Sequence, residues 1–368
     1  MRKLFNSLNL IHSPRRLNET KVELDGLRGV AVIIVFLGHI LLFEPDFGPG
    51  IGSFGQVGVY LFFVLSAFLL TSITLNELKI FKLHTVIRTF FLRRFLRIFP
   101  MYYFSLLLIL ISPTFQNMMF GGRDFNWTNH FFLKYPEGNY WAISVELEFY
   151  LVVPAVAMLS LKLIKGWRAV PLCASFLLLG FFLSDWVKSV ISFPPNYPHL
   201  LPYISIFLFG VLVAQIQHAF PSLLSQIPNF FWQILFLFGA GMYLFLIPRV
   251  GIGMLSAEGV YAQYYSTISG LGSSLILISA LNGSGGFLRL LKFTFLRFIG
   301  IISFSIYLLH IFVMSYYAGK FYVQFGIYLT ALLIFALVVF LSTLTYLGIE
   351  RPFMRLAHKY ARSNLKRV

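Results

Sequence analysis

Apolar residues run through this chain in long unbroken blocks, without the strict alternation of a half-buried strand or the narrow stripe of a surface helix. Crossing hydrocarbon takes roughly 20 residues of helix, because backbone polar groups left unpaired there are too costly. About ten stretches meet that length requirement. They lie near 28–44, 56–76, 99–114, 140–161, 168–186, 200–217, 230–248, 262–281, 297–318 and 326–348. The pattern predicts an all-α membrane protein, a bundle of about ten transmembrane helices. Its domains are a cytoplasmic N-terminal segment (1–27), a multi-helix transmembrane domain (28–348) and a basic cytoplasmic C-terminal tail (349–368). The longest polar interruption, 115–139, reads FQNMMFGGRDFNWTNHFFLKYPEGN and has the Gly/Asn-rich character of an extracytoplasmic loop.

Composition agrees with the pattern. The chain is 58% hydrophobic and 11% charged, with 43 Phe and 19 Tyr that suit lipid-facing surfaces and interfacial belts. The first apolar run has no small-residue cleavage site after it, so it is expected to stay in the membrane as a helix. The single cysteine, Cys173, lies in an apolar run and leaves no disulfide framework, Cys metal site or Cys-His pair to consider.

Charge orients the bundle. The net charge of +16 comes from 29 Lys and Arg against 13 Asp and Glu. All but Arg123, Lys134, Lys188, Arg249 and Lys320 fall on the side of the termini, which the bias of Lys and Arg toward cytoplasmic loops makes the inner side. Both termini are therefore predicted to be cytoplasmic. The excess is accounted for by topology and anionic lipid, with no need for a nucleic-acid partner. Lys79, Lys82, Arg88, Arg93, Arg94 and Arg97 are predicted to share one inner loop.

Ionisable groups inside hydrocarbon cost on the order of 2.5–3.5 kcal/mol on insertion scales, which makes each one a candidate for function. Few spans carry any: Arg28 and His39 in the first, Glu146 and Glu148 in the fourth, His310 in the ninth. A spacing of eleven residues is about three helical turns, which puts Arg28 and His39 on one face about 16 Å apart. His39 and His310 are predicted to reach similar depth, with Glu146 approaching from the outer side. Glu146 and Tyr150 share a face by their i,i+4 spacing, while Glu148 points elsewhere. The three ionisable helices share no short ligand spacing, so no metal site is indicated.

On these residues the sequence resembles the acyltransferase-3 family, integral-membrane O-acyltransferases of bacteria with eukaryotic relatives. The segment LDGLRGVAVIIVFLGH matches the family's first-helix pattern of an arginine, ten residues and a histidine, filled here by Arg28 and His39. Further matches follow in order: GVYLFFVLSAFLL (58–70), FLRRFLRIFPMYY (91–103), WAISVELEFYL (141–151), IGIISFSIYLLHIFV (299–313) and IERPF (349–353). Two positions depart from the pattern, Tyr60 where many members carry aspartate and Ala67 where glycine is usual. Some members carry an extra C-terminal esterase-like domain, and this chain is expected to be a stand-alone membrane unit.

The resemblance implies transfer of an acyl group, most often acetyl, from cytoplasmic acyl-CoA to a hydroxyl of an extracytoplasmic carbohydrate or glycolipid in the bacterial inner membrane. His39 is then the expected general base, since imidazole titrates near neutrality, with Glu146 as its partner. Arg28, Arg93, Arg94 and Arg97 are the expected acyl-CoA ligands, because guanidinium forks suit phosphates. His310, Tyr150, Trp141 and Ser144 are the expected acceptor-binding residues. Two rivals accompany this reading: a transporter or flippase of a polar lipid or saccharide, whose path the same buried groups would line, and an inactive relative that scaffolds other envelope proteins. The sequence leaves the acceptor, the acyl group and the oligomeric state open.

Overall fold

The computed structural model describes residues 22–43, 51–112, 126–163, 180, 198–245 and 262–364. Among these, helices are joined by short turns and no strand occurs. In chain order they are α1 (Val22–Ile40), α2 (Ile51–Leu78), α3 (Leu83–Ile111), the short α4 (Trp127–Phe131), α5 (Trp141–Leu163), α6 (Ile204–Ala219), α7 (Pro221–Gln226), α8 (Asn229–Phe245), α9 (Ala262–Asn282), α10 (Thr294–Ile301), α11 (Ser303–Thr345) and α12 (Arg351–Asn364).

Six helical segments are long and apolar enough to cross a membrane, and a seventh arises if the bent pair Tyr265–Asn282 and Gly286–Lys292 counts as one span. The last of the six, Ser303–Ala361, is 59 residues long. At 1.5 Å per residue it would reach about 88 Å as one straight rod, far beyond the roughly 30 Å of a hydrocarbon core. It does not run straight: Gly326 breaks α11 with φ 70° and ψ 175°, a conformation open to glycine and strained for any residue with a Cβ. That break separates the two stretches predicted at 297–318 and 326–348. A further division, at Ile302, splits α10 from α11 within the first of them. The expected span at 168–186 lies outside the described residues apart from Gly180, as does the 113–125 part of the predicted loop.

Two boundaries move. α1 begins at Val22 and α3 at Leu83, so Arg28 and the RRFLR run are parts of continuous membrane helices. The basic cluster is therefore no loop from Arg88 onward. Continuing the helix pairs each backbone N–H and C=O internally, and it lets charged side chains reach back toward the surface or into the bundle. The predicted tail is likewise helical through Asn364 and packs against α3.

α1 lies at the centre, packed against α2, α10 and α11. Its neighbours come unusually close because the contacts are made by glycines. A Cβ on Gly29 would strike the backbone oxygen of Leu296, one on Gly58 that of Ala31, and one on Gly300 that of Asp25. Small residues of this kind are how membrane helices gain packing where the lipid is as apolar as the protein. Around this centre the outer faces are apolar and open: Leu151, Val323 and Tyr328 are 70%, 87% and 84% exposed. In water such a surface would aggregate; against acyl chains it is the expected one.

Candidate active site

A cavity opens between α1, α2, α3, α5 and α11, and it is chemically two-sided. Arg28, Arg94, Arg97, Glu146, Ser66 and Tyr150 supply polar groups, while Val59, Phe62, Phe63, Leu65, Ile98 and Ile143 form apolar walls. Ser303, Phe304 and Tyr307 close it from the first turns of α11.

The arginines divide by helical spacing. Arg94 and Arg97 are three residues apart, share one face of α3 and line the cavity. Arg94 also lies 6.0 Å from the centre of the Tyr150 ring, within cation–π range. Arg93, rotated about 100° from Arg94, turns away and forks onto Glu77 of α2 with bonds of 2.7 and 2.6 Å. Of the four expected acyl-CoA ligands, three thus converge and one is an interhelical clamp.

The carboxylates divide in the same way. Glu146 accepts a short hydrogen bond from the Ser66 hydroxyl across the cavity, one turn above Tyr150 on the face the i,i+4 spacing predicts. Glu148 leaves that face and accepts from the Leu200 backbone N–H (2.8 Å) and from His199 Nδ1 (2.7 Å), tying α5 to the turn before α6. Another carboxylate, Glu350, is buried on a π-helical turn beneath the start of α11, where the Ser305 hydroxyl bonds to it.

The two histidines meet. Their ring centres are 5.0 Å apart, edge to face at 69°. His39 Nδ1 lies 2.8 Å from the Val35 carbonyl oxygen, and His310 Nδ1 lies 2.8 Å from that of Tyr307. A carbonyl only accepts, so both Nδ1 atoms carry the proton and each neutral ring has its basic nitrogen at Nε2. His39 is half-buried and His310 fully buried. The pair does not line the cavity itself. Tyr307 joins the two regions, for it borders the cavity and its ring centre is 6.0 Å from that of His310. The close neighbour of His39 is therefore His310, while Glu146 stands with the arginines and Ser66.

The remaining expected residues are used locally. Trp141 is buried in an aromatic cluster, 5.1 Å from the Tyr203 ring and 5.9 Å from that of Phe63. Ser144 donates to the Leu133 carbonyl. Tyr60, the departure from aspartate, packs on Tyr203 and Tyr265 and donates to Gln56. On the same side, His130 holds the segment before α5 in place. Its Nε2 accepts the Glu137 N–H at 3.0 Å and its Nδ1 faces the Asn126 carbonyl at 3.0 Å. Burial depresses its pKa below the ordinary 6.5.

Sequence reasoning gave no role to Ser66 or Tyr307, and offered Ser305 only as a local partner for His310, whereas its hydroxyl bonds to Glu350. Tyr307 could have been found, since it stands three residues before His310 on the same helical face. Ser66 could not, because its bond to Glu146 joins residues eighty apart in the chain. Among the described residues no group of three His, Cys, Asp or Glu side chains is arranged to hold a metal ion.

No solved structure matches this chain. Among curated proteins, the chain is 30% identical over 165 residues to the peptidoglycan O-acetyltransferase OatA of Listeria monocytogenes, a match covering 39% of this chain and 25% of that protein. It is 25% identical over 388 residues to the O-acetyltransferase OatA of Staphylococcus aureus, covering 97% of this chain and 60% of that one. The chain thus spans three fifths or less of the length of these relatives. A family profile for the acyltransferase domain matches residues 21–347, nearly the whole of the helical bundle just described. By that match, and with Arg28 and His39 on the helix at the centre of the site, the chain belongs to the acyltransferase-3 family.

Proposed function

We propose that this protein is an inner-membrane O-acetyltransferase that moves an acetyl group from cytoplasmic acetyl-CoA to a hydroxyl of an extracytoplasmic saccharide. In this reading the bundle crosses the membrane about ten times, once for each apolar stretch of spanning length, with both termini inside. The observation that carries this reading is the juxtaposition of a cavity holding three guanidinium groups with a histidine pair that stands behind its Tyr307 wall. The family match and the names of the relatives point the same way.

The chemistry follows from the layout. Arg28 lies six residues into α1, toward its inner end, and Arg94 and Arg97 stand at mid-length of α3, so a donor entering from the cytoplasm brings its phosphates into the bundle to meet them. The pantetheine arm carries the thioester outward past Glu146 and Ser66. His39, with Nδ1 held by the Val35 carbonyl, presents an unprotonated Nε2 to the acceptor hydroxyl. As the acceptor oxygen attacks the thioester carbon, its proton passes to His39, the C–S bond breaks, and the imidazolium returns the proton to the departing thiolate. Glu146 contributes negative charge that holds the arginines in place. His310 supports His39 and faces the acceptor.

Purified protein given acetyl-CoA radiolabelled in the acetyl group and a saccharide extract of the envelope tests this. Coupled CoA release and transfer of label to saccharide is the expected result, reduced about 10²–10⁴-fold in His39→Ala, the range that general base catalysis supplies. Label that never leaves CoA, or equal transfer by His39→Ala, contradicts it.

A further inference from the structure

Two polar atoms near the histidine pair are buried without a hydrogen-bond partner, His310 Nε2 and Asn139 Oδ1. Asn139 lies in the turn that leads into α5 and is 6% exposed; His310 is 0% exposed. Their positions are linked. Asn139 Nδ2 donates to the Tyr307 carbonyl oxygen at 2.8 Å, and His310 Nδ1 lies 2.8 Å from that same oxygen. The Tyr307 hydroxyl donates in return to the Asn139 carbonyl, which fixes the turn against α11. The bond from Nδ2 also settles which end of the amide is oxygen. Two side chains thus converge on one carbonyl by their donors and leave their acceptors unpaired, and one of the two, His310, stands beside His39.

Buried acceptors left unpaired cost about 1–3 kcal/mol each, so a pair of them calls for a partner. Both can only accept. A single ligand that pairs both brings at least two O–H or N–H groups, as a polyol or saccharide does. The thioester head of an acyl donor, which itself only accepts, does not match them.

We infer that Asn139 Oδ1 and His310 Nε2 form the subsite for the acceptor, taking hydrogen bonds from two hydroxyls of a saccharide so that one is set against His39. This rests on the acyl-transfer reading and adds Asn139 to it as an acceptor-binding residue. The asparagine stands on the α5 entry turn, the side from which an extracytoplasmic acceptor arrives.

Two measurements on the full chain test the subsite: the rise in melting temperature that acetyl-CoA gives the purified protein, and the O-acetyl content of envelope saccharides in bacterial cells whose sole copy is wild type, Asn139→Leu or Asn139→Asp. Asn139→Leu keeps the shape and loses both the acceptor oxygen and the Nδ2 bond to the Tyr307 carbonyl. It is expected to retain the acetyl-CoA shift while saccharide O-acetylation falls about tenfold or more, the loss of one well-made bond to a substrate hydroxyl. Asn139→Asp loses the same Nδ2 donor but retains an acceptor oxygen, and is expected to keep more acetylation than Asn139→Leu. Wild-type acetylation in Asn139→Leu overturns the subsite, as does loss of the acetyl-CoA shift along with the acetylation, which would make Asn139 a packing residue. A wild-type protein unmoved by acetyl-CoA and making no O-acetyl saccharide would remove the acyl-transfer reading itself.

Discussion

Three arginines within five residues of α3 have different neighbours, and the difference decides what each substitution does. Arg94 and Arg97 face the cavity, so Arg94→Ala is expected to raise KM for acetyl-CoA roughly 10–100-fold, the worth of a charge-assisted bond of about 1.5–3 kcal/mol. Arg93→Ala is expected to leave that KM near wild type. It removes the fork on Glu77, a side chain 11% exposed, and is expected to lower the melting temperature. Steady-state kinetics beside a thermal melt separates the two. Which residue types mattered was legible in the sequence: an Arg or His in hydrocarbon announces itself by its cost. Which way each one faces was legible only where spacing on one helix answered it, as for Glu146 with Tyr150 against Glu148. The partner of His39 was not, because depth along two helices says nothing about how they are rotated toward each other, and that rotation is what brings His310 to 5.0 Å.

At the level of elements, the contacts between helices are set by glycines whose missing side chains are the packing surface. Gly300→Val is expected to destabilise the fold by about 1–3 kcal/mol or more, because a side chain there runs into the Asp25 backbone rather than into a flexible side chain. Lower yield and melting temperature in detergent are the readout, and an unchanged melting temperature would show that α1 and α10 have room to separate. A second element, the segment before α5, depends on a neutral His130. Its pKa is lower in the folded chain than the ordinary 6.5, so the unfolded chain binds the proton more readily. The stability it contributes is complete above about pH 6.5 and is lost as pH falls below that value. Melting temperature is therefore expected to drop between pH 7.5 and 5.5 more steeply for wild type than for His130→Asn. Helix existence was legible from apolar length throughout. Helix ends were less so, for hydropathy alone marked α3 from 99, whereas the helix starts at Leu83 with its basic residues inside it.

For the molecule as a whole, the account requires a passage with two ends: a cationic cavity open to one side of the membrane and an acceptor subsite reached from the other. Composition was enough for the class of protein, and the bias of Lys and Arg supplies an expected orientation. The meeting of α1, α2, α3, α5 and α11 around one cavity is a matter of helix packing that no single stretch encodes. Sidedness is tested most directly in sealed proteoliposomes of known orientation, with saccharide acceptor fixed on the outer face and labelled acetyl-CoA offered to one face at a time. Labelled saccharide is expected only when acetyl-CoA is supplied to the face bearing the termini, and at least about 10²-fold less with His39→Ala in the same vesicles. Equal labelling from either face, or undiminished labelling with His39→Ala, would contradict this.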